Sequence, residues 1–166
     1  MLILGNNKDS TQASAYASYL HTLFKRIVVA DHEESKDFKD LKQQIPYKFA
    51  FVQHEITDHD YLNSKNFLRD LGEVFDIAIM PEVLCHLTSL ISLERLLVTI
   101  SDKLKYLIVV HRFKKPEDEK VDKKSKEYDL KYLSVSEIKK AAEAASYKFL
   151  HEIVIDSHVC LVLCSK

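Results

Sequence analysis

The stretch KFLHEIVIDSHVCLVLC at residues 148–164 decides the fold that we predict for this chain. Two runs of strand-forming residues, Lys148 to Ile155 and His158 to Cys164, flank the polar dipeptide Asp156-Ser157. Two such runs joined by a two-residue turn are typical of a β-hairpin, whose strands must be antiparallel. We therefore predict that the sheet of this protein ends in an antiparallel pair of strands.

Upstream of the hairpin, strand and helix patterns alternate five times. The predicted strands are short apolar runs, typical of strands buried on both faces of a parallel sheet. They lie at 1–5, 26–30, 47–52, 75–80 and 106–110. Helical patterns follow them at 10–24, 36–44, 63–71, 82–101 and 134–146. We predict an α/β fold, a Rossmann-like three-layer sandwich with a mostly parallel sheet that ends in the antiparallel β-hairpin.

Two helix ends carry specific local signals. Ser134 stands three residues before Glu137, the spacing of a capping box in which each side chain satisfies the other residue's backbone N–H. Gly72 directly follows the 63–71 pattern, and glycine commonly ends a helix because it adopts left-handed backbone without strain. We therefore expect one helix to begin after Ser134 and another to end at Gly72.

Length and composition limit the classes of function. The 166 residues predict a single domain over 1–166, and 46% hydrophobic with 30% charged residues is typical of a soluble globular protein. The net charge of -1 predicts no strong nucleic-acid binding. The three cysteines are an odd number, and we interpret them as core thiols. Neither a membrane span nor a signal peptide is visible in the sequence. We expect a cytoplasmic protein with no membrane partner.

One segment departs from this balanced composition. Residues 114–127, KKPEDEKVDKKSKE, contain six positive and five negative side chains among 14. A basic arm for nucleic acid is the more specific interpretation, but the interleaved acids argue against it. We predict a solvated charged loop.

Ligand-binding residues are expected at one edge of such a sheet. In open α/β sheets, ligands bind beyond the carboxyl ends of the strands, where the strand order reverses. The residues at the ends of the predicted strands are Gly5, Asn6, Asn7, Asp31, His32, His54, Glu55, Met80, Pro81, Glu82, His111 and Arg112.

Three features, in their order along the chain, resemble class I S-adenosylmethionine-dependent methyltransferases. Asp31 ends the second predicted strand, where the family has an acidic residue. FDIAIMPEVLCHL at 75–87 is similar to the family's fourth strand and the helix start after it. YLSVSEIKKAAEAASYKFLHEIVI at 132–155 is similar to the helix and sixth strand that commonly end the fold. The resemblance covers nearly the whole chain.

The resemblance implies a methyltransferase that binds the small molecule S-adenosylmethionine and has an unidentified acceptor. It implies that Asp31 accepts hydrogen bonds from the ribose hydroxyls and that Glu55 contacts the adenine amino group. The other cofactor-binding residues that it implies are Gly5, Asn6, Asn7, His32, Met80 and Pro81. His86 and His111 are the catalytic candidates, because a neutral imidazole can take a proton from an acceptor. Each of these histidines also has an ordinary structural interpretation.

The first motif departs from the family pattern and motivates a second hypothesis. In LILGNNKDS at 2–10, Ile3 replaces the family's acid, and Gly5 is the single glycine of the turn. Asn7 and Asp9 occupy the positions of the later glycines, where their side chains would narrow the cleft. The alternative is therefore a catalytically inactive domain of the same fold that binds a protein partner.

Two further alternatives follow from local strings. The hydroxyl-rich stretch KDST at 8–11 is compatible with a flavodoxin-like phosphate site, although the terminal hairpin argues against that all-parallel fold. Glu82, Cys85 and His86 have the spacing of metal ligands on one helix face. No fourth ligand is identifiable, and we predict no metal site.

Overall fold

A computed structural model of the protein describes residues 1–5, 10–53, 72, 74–86, 90–112, 134–156 and 158–165, without the side chains of Ser10, Cys85 and His86. The strands are β1 (Leu2–Leu4), β2 (Ile27–Asp31), β3 (Phe49–Gln53), β4 (Phe75–Pro81), β5 (Leu104–Arg112), β6 (Tyr147–Ile155) and β7 (His158–Ser165). The helices are α1 (Ser10–Leu20), α2 (Lys36–Gln44), α3 (Leu90–Ser101) and α4 (Val135–Ala144), with a 3-10 helix over Val83–His86.

The strands form one mixed sheet in the order β3-β2-β1-β4-β5-β7-β6. β1 to β5 are parallel, whereas β7 inserts between β5 and β6 and is antiparallel to both. Ile155 pairs with His158, so the hairpin has the predicted two-residue turn. The α/β sandwich with a terminal hairpin is thus confirmed, and an all-parallel flavodoxin-like sheet is excluded.

The core lies in two layers, because successive strand residues point to opposite faces of the sheet. On one face, which we call the α3–α4 face, Leu4, Met80 and Leu107 pack with the apolar sides of α3 and α4. On the other, the α1–α2 face, Ile3 and Ile79 pack with residues of α1 and α2. No described helix is both long and apolar enough to cross a membrane.

Several elements differ from the sequence prediction in their extent. α1 ends at Leu20, where the Leu23 N–H donates to the Leu20 carbonyl at 3.0 Å in a tight turn. The helix expected at 82–101 begins instead as a 3-10 helix after Glu82, and its α-helical part is Leu90–Ser101. β5 is longer than predicted because it pairs with both β4 and β7. The helix predicted at 63–71 and the charged segment 114–127 lie outside the described residues.

Non-glycine residues take left-handed backbone in this chain, which has only two glycines. Gly72 has a φ of 64°, and Glu82, Ser146 and Asp156 have φ of 51°, 63° and 53°. Asp156 begins the β6–β7 turn, where such a conformation matches the twist of the strands. Ser146 follows α4 and its capping residue Ala145, a position that glycine usually occupies.

The capping box at the start of α4 is confirmed. The Glu137 N–H donates to Ser134 Oγ at 3.3 Å, and the Ser134 N–H donates to Glu137 Oε2 at 2.8 Å. Local interactions therefore define both ends of α4. The capping box stabilises its start, whereas the left-handed backbone of Ser146 strains the chain after its end.

We expect Ser146→Gly to raise the free energy of unfolding by about 1 kcal/mol, because glycine removes the penalty of left-handed backbone. Ala144→Gly is the matched control, since Ala144 is an exposed helical residue two positions away. It should lower stability by about 1 kcal/mol through lost helix propensity. Urea denaturation of both variants measures the two changes, and a destabilised Ser146→Gly would contradict the assignment.

Candidate functional site

The carboxyl ends of the parallel strands β1, β2, β4 and β5 meet at one edge of the sheet, which we call the carboxyl edge. The antiparallel strand β7 begins at this edge, because its first residue, His158, pairs with Arg112 at the end of β5. β1 lies between β2 and β4, so the strand order reverses at its end, which is the expected ligand position in an open α/β sheet.

Gly5 and Asp31 are in direct contact at this reversal point. The Gly5 N–H donates to the Ala30 carbonyl at 2.7 Å, which places the Gly5 backbone beside the end of β2. A Cβ atom on Gly5 would lie 1.9 Å from Asp31 Oδ2 and 2.6 Å from Asp31 Cβ. Residue 5 must therefore be glycine in this structure because the Asp31 side chain occupies the space of its side chain.

The Asp31 carboxyl group is buried, although Asp31 ends β2. Its Oδ1 accepts the His32 backbone N–H at 2.8 Å and lies 3.2 Å from His32 Nδ1. The His32 ring is 39% exposed, and the His32 carbonyl accepts Gln53 Nε2 at 3.1 Å. The ends of β2 and β3 are thus joined in one polar group around Asp31.

β4 ends in a strained turn over the carboxyl edge. Met80 and Pro81 are buried, and Met80 belongs to the core of the α3–α4 face. Glu82 follows with a φ of 51°, and its N–H donates to the Val110 carbonyl at 2.7 Å. The hydrogen bond to β5 continues the β4–β5 ladder and fixes Glu82 in this conformation.

The Glu82 side chain reaches across the edge to β7. His158 Nε2 lies 2.7 Å from Glu82 Oε1, and the two residues are 76 positions apart in sequence. The side chains of His158 and Glu82 are 41% and 29% exposed. We call this hydrogen-bonded pair the Glu82–His158 pair.

Strand alternation places the Glu82–His158 pair on the α1–α2 face. Ile108 packs against the core of this face and pairs with Val162 of β7. Cys160 and His158 lie two and four positions before Val162 in the same strand, so their side chains are on the same face. Tyr16 of α1 packs against the core of the same face. Burial raises the pKa of the Tyr16 hydroxyl, and coulombic interaction with Glu82 and, less strongly, Cys160 raises it further.

His111 lies on the opposite side of the sheet. It pairs with Val159, which belongs to the core of the α3–α4 face, and it is 1% exposed. The buried imidazole at the end of β5 is thus separated from the Glu82–His158 pair by the sheet itself.

The remaining predicted site residues are only partly described. His86 ends the 3-10 helix, but its side chain is outside the description, and Asn6, Asn7 and Glu55 lie outside it altogether. Their assignment to catalysis or cofactor binding stays a prediction. Within the described part of the chain, no three His, Cys, Asp or Glu side chains come together at metal-binding distance. The α-helical spacing assumed for Glu82, Cys85 and His86 is absent, because this stretch is a 3-10 helix.

Sequence reasoning missed His158 and Tyr16. The sequence predicts site residues only at the ends of parallel strands, whereas an antiparallel strand brings its first residue, not its last, to the same edge. The predicted hairpin already contained the signal, since a terminal antiparallel strand must begin where its parallel neighbour ends. Glu82 is predicted both at the carboxyl end of the fourth strand and, in the metal-site alternative, as a metal ligand.

The chain is similar to known proteins in structure and not in sequence. No protein-family model matches the chain, and no curated protein is significantly similar to it in sequence. Magnesium protoporphyrin IX methyltransferase (ChlM) from Synechocystis PCC 6803, solved with bound SAH, superposes with a TM-score of 0.72 at 11% identity, covering 99% of this chain and 73% of ChlM. Burkholderia thailandensis 1,6-didemethyltoxoflavin-N1-methyltransferase, solved with S-adenosylhomocysteine, gives 0.67 at 13%, covering 99% and 70%.

A third similar structure is larger than this protein. The pyocyanin biosynthetic protein PhzM has a TM-score of 0.66 at 11% identity, and the match covers 99% of this chain. The chain spans about half of PhzM, 49% of its length. The strand order, the antiparallel β7 and these superpositions agree that the protein has the fold of the class I S-adenosylmethionine-dependent methyltransferases.

Proposed function

We propose that the protein is an S-adenosylmethionine-dependent methyltransferase. The observation that carries the proposal is the buried carboxylate of Asp31, which lies at the end of β2 against Gly5 at the end of β1. This is the strand reversal at which open α/β sheets bind ligands. Structures of the same fold were solved with S-adenosylmethionine or S-adenosylhomocysteine bound, which supports the same cofactor here.

The described residues fit this cofactor in chemical type. A carboxylate accepts two hydrogen bonds from neighbouring ribose hydroxyls, and Asp31 is the single carboxylate among the buried polar residues that the structure describes. Its carboxyl group faces Gly5, so a ribose would reach it after the side chain turns outward. His32 and Gln53 would border the ribose, and Gly5 would bring backbone close to the methionine part.

S-adenosylmethionine, when bound, supplies a methyl group on a positively charged sulfur. The protein's own contribution is to orient cofactor and acceptor, which reduces the entropic part of the barrier. We assign the cofactor to Gly5, Asn6, Asn7, Asp31, His32, Glu55, Met80 and Pro81. His86 and His111 stay candidate acceptor contacts. The free thiols of Cys160 and Cys164 support a cytoplasmic location.

Calorimetric titration with S-adenosylhomocysteine tests the proposal. We expect micromolar binding to the wild type, about -8 kcal/mol. Asp31→Asn keeps the size of the side chain but removes its charge, so we expect at least tenfold weaker binding, about 1.4 kcal/mol. Asp76→Asn is the matched control, because Asp76 is an exposed aspartate near the opposite end of β4, and it should bind like the wild type.

Two results would count against the proposal. Absence of heat up to millimolar ligand would make a catalytically inactive domain with a protein partner the leading hypothesis. Equal affinity of Asp31→Asn and the wild type for S-adenosylhomocysteine would remove Asp31 from the site, provided that circular dichroism shows both proteins to be folded.

A further inference from the structure

We propose that the outer edge of β6 pairs with β6 of a second copy of this chain, antiparallel and about a two-fold axis at Ile153. Such pairing joins the two seven-stranded sheets into one continuous sheet. The strands β4, β5 and β7 separate β6 from the proposed cofactor site at β1, so the dimer contact and the cofactor site are independent of each other.

Apolar side chains are exposed along β6. Among the strands that the structure describes, β6 is the last on its side of the sheet. Four of its apolar side chains are between 44% and 63% exposed, namely those of Leu150, Ile153, Val154 and Ile155. An exposed apolar edge strand offers both its side chains and its backbone to another strand, and proteins usually protect such edges with charges, prolines or bulges.

The features that protect an edge strand are confined to the first part of β6. A bulge interrupts its pairing with β7 between Phe149 and His151, and Glu152 forms an ion pair with Lys139 at 2.6 Å. Residues 153–155 contain no charged side chain and no proline, and they pair with β7 in regular register. The second part of β6 is therefore a regular, apolar and exposed segment.

Hydrogen bonding across the sheet determines which β6 residues point outward. The Glu82 N–H donates to the Val110 carbonyl, so Val110 faces β4 and its two neighbours in β5 face β7. The same alternation, followed through the register of β5, β7 and β6, directs the backbone of Ile153 toward β7. The N–H and C=O groups of Glu152 and Val154 therefore point away from β7, in the direction of an added strand.

A two-fold axis at Ile153 suits both the backbone and the charges. Outward residues must meet outward residues, and the bulge and the turn limit the centre of pairing to Glu152, Ile153 or Val154. A centre at Glu152 places two carboxylates opposite each other, and a centre at Val154 places Glu152 opposite Asp156 of the second copy, so both are unfavourable. With the centre at Ile153, Glu152 exchanges both N–H···O bonds with Val154 of the second copy.

The side chains at this centre are compatible with close contact. Ile153 meets its own counterpart as a non-hydrogen-bonded pair, in which the Cα atoms are about 4.5 Å apart. It lies on the α1–α2 face, because it pairs with Cys160. On the other face, Val154 packs beside Glu152 of the second copy, whose charge is balanced by Lys139. The contact therefore buries no unpaired charge.

A second copy fits this edge better than an unrelated strand. β6 is already ordered by β7, so pairing two β6 strands orders little additional backbone. The net charge of -1 leaves little repulsion between two copies. A single pair of short strands is smaller than the standard interface of about 1,600 Å². We therefore expect a weak dimer with a dissociation constant in the micromolar range.

Sedimentation equilibrium of the full chain at about 10 µM and about 300 µM tests for the dimer on either side of that range. We expect the average mass to rise toward twice that of one chain at the higher concentration. Ile153→Glu should lower the dimer fraction by about tenfold or more, because it places two carboxylates at the axis. Val154→Pro should act similarly, since it removes an outward N–H and leaves the pairing with β7 intact. Circular dichroism checks that both variants are folded.

Ile91→Glu is the matched control for the added charge. Ile91 is 61% exposed, as Ile153 is partly exposed, but it lies on α3 and not on β6. This variant should form dimers like the wild type.

Disulfide formation tests the register. Ile153→Cys should form a covalent dimer under mild oxidation, because a Cα separation of about 4.5 Å is within disulfide range. Val154→Cys is the control on the same strand, since the two Val154 residues would be diagonal neighbours about 7–8 Å apart and should not be linked. The wild type, with its own three cysteines, gives the background.

Three results would overturn the inference. A mass of one chain at the higher concentration would exclude self-pairing and leave the edge to an extended strand of another protein. A mass that rises beyond twice that of one chain, or dimers that persist in both Ile153→Glu and Val154→Pro, would place the contact elsewhere. Equal linking of Val154→Cys and Ile153→Cys would remove the axis from Ile153. Binding of S-adenosylhomocysteine tests the proposed function separately, so the two proposals fail independently.

Discussion

Gly5→Ala is expected to lower the free energy of unfolding by about 3 kcal/mol, the upper part of the usual range for overpacking. The added methyl carbon would lie 1.9 Å from Asp31 Oδ2 and 2.1 Å from its Cγ, and Gly5 is itself buried. Rotating the Asp31 side chain relieves only part of the conflict, because Asp31 Cβ would still be 2.6 Å away. Chemical denaturation measures the loss, and we expect S-adenosylhomocysteine binding to be lost with it.

A double-variant cycle identifies the cause. Gly5→Ala combined with Asp31→Gly removes both clashing groups, so the pair should lose less stability than the sum of the single variants. Gly72→Ala is the control for glycine loss as such, since Gly72 is exposed and needs glycine for its φ of 64° instead. Asp31→Gly should not compensate for it. Strict additivity of Gly5→Ala and Asp31→Gly would show that the contact does not require glycine.

The second large effect that we expect is a loss of stability at alkaline pH caused by the buried hydroxyl of Tyr147. This tyrosine is 1% exposed, and its hydroxyl has no hydrogen-bond partner among the residues described. Burial, with a smaller contribution from the charge of Asp102, raises the pKa of Tyr147 well above its ordinary value of 10. The folded state thus strongly favours the neutral phenol.

The sign of the pH dependence follows from this direction. Because the folded-state pKa is raised, the contribution is fully present below pH 10, where both states hold the proton, and it is lost as the unfolded chain ionises above pH 10. The loss is about 1.4 kcal/mol per pH unit until the folded state titrates too. Tyr147→Phe should remove this part of the decline between pH 10 and 11.

Urea denaturation at pH 7, 10 and 11 measures the effect. At pH 7 we expect Tyr147→Phe to be as stable as the wild type or more stable by about 1 kcal/mol, since it removes a buried hydroxyl without a partner. Tyr19→Phe is the control, because Tyr19 is 83% exposed, and it should keep the wild-type decline. Identical alkaline declines in Tyr147→Phe and the wild type would assign the effect to other groups.

Local patterns predicted most of the elements correctly. Buried strands give continuous apolar runs, and the capping box at Ser134 involves residues three positions apart, so neither depends on distant parts of the chain. Element ends were less accurate. The helix after β4 begins as a 3-10 helix, because Glu82 takes a left-handed conformation fixed by a hydrogen bond to Val110, which no local pattern contains.

The site could be predicted only in part, for the same reason. Asp31 was expected at the end of β2 and lies there, but its burial against Gly5 depends on the pairing of β1 with β2. His111 is predicted at the carboxyl edge and lies there. The alternation of side chains along β5, however, places it on the α3–α4 face. The family resemblance explained the single glycine by a cofactor, whereas the structure explains it by Asp31.

By itself, the sequence determined the succession of strands and helices along the chain and the antiparallel terminal hairpin. Apolar periodicity, turns and caps act between residues that are close in the chain. Only the tertiary structure decided which residues meet at the carboxyl edge. Inserting β7 between β5 and β6 brings His158 to Glu82, 76 residues away, and puts His111 on the other side of the sheet. Such contacts depend on strand order and register, and these depend on packing across the whole sheet.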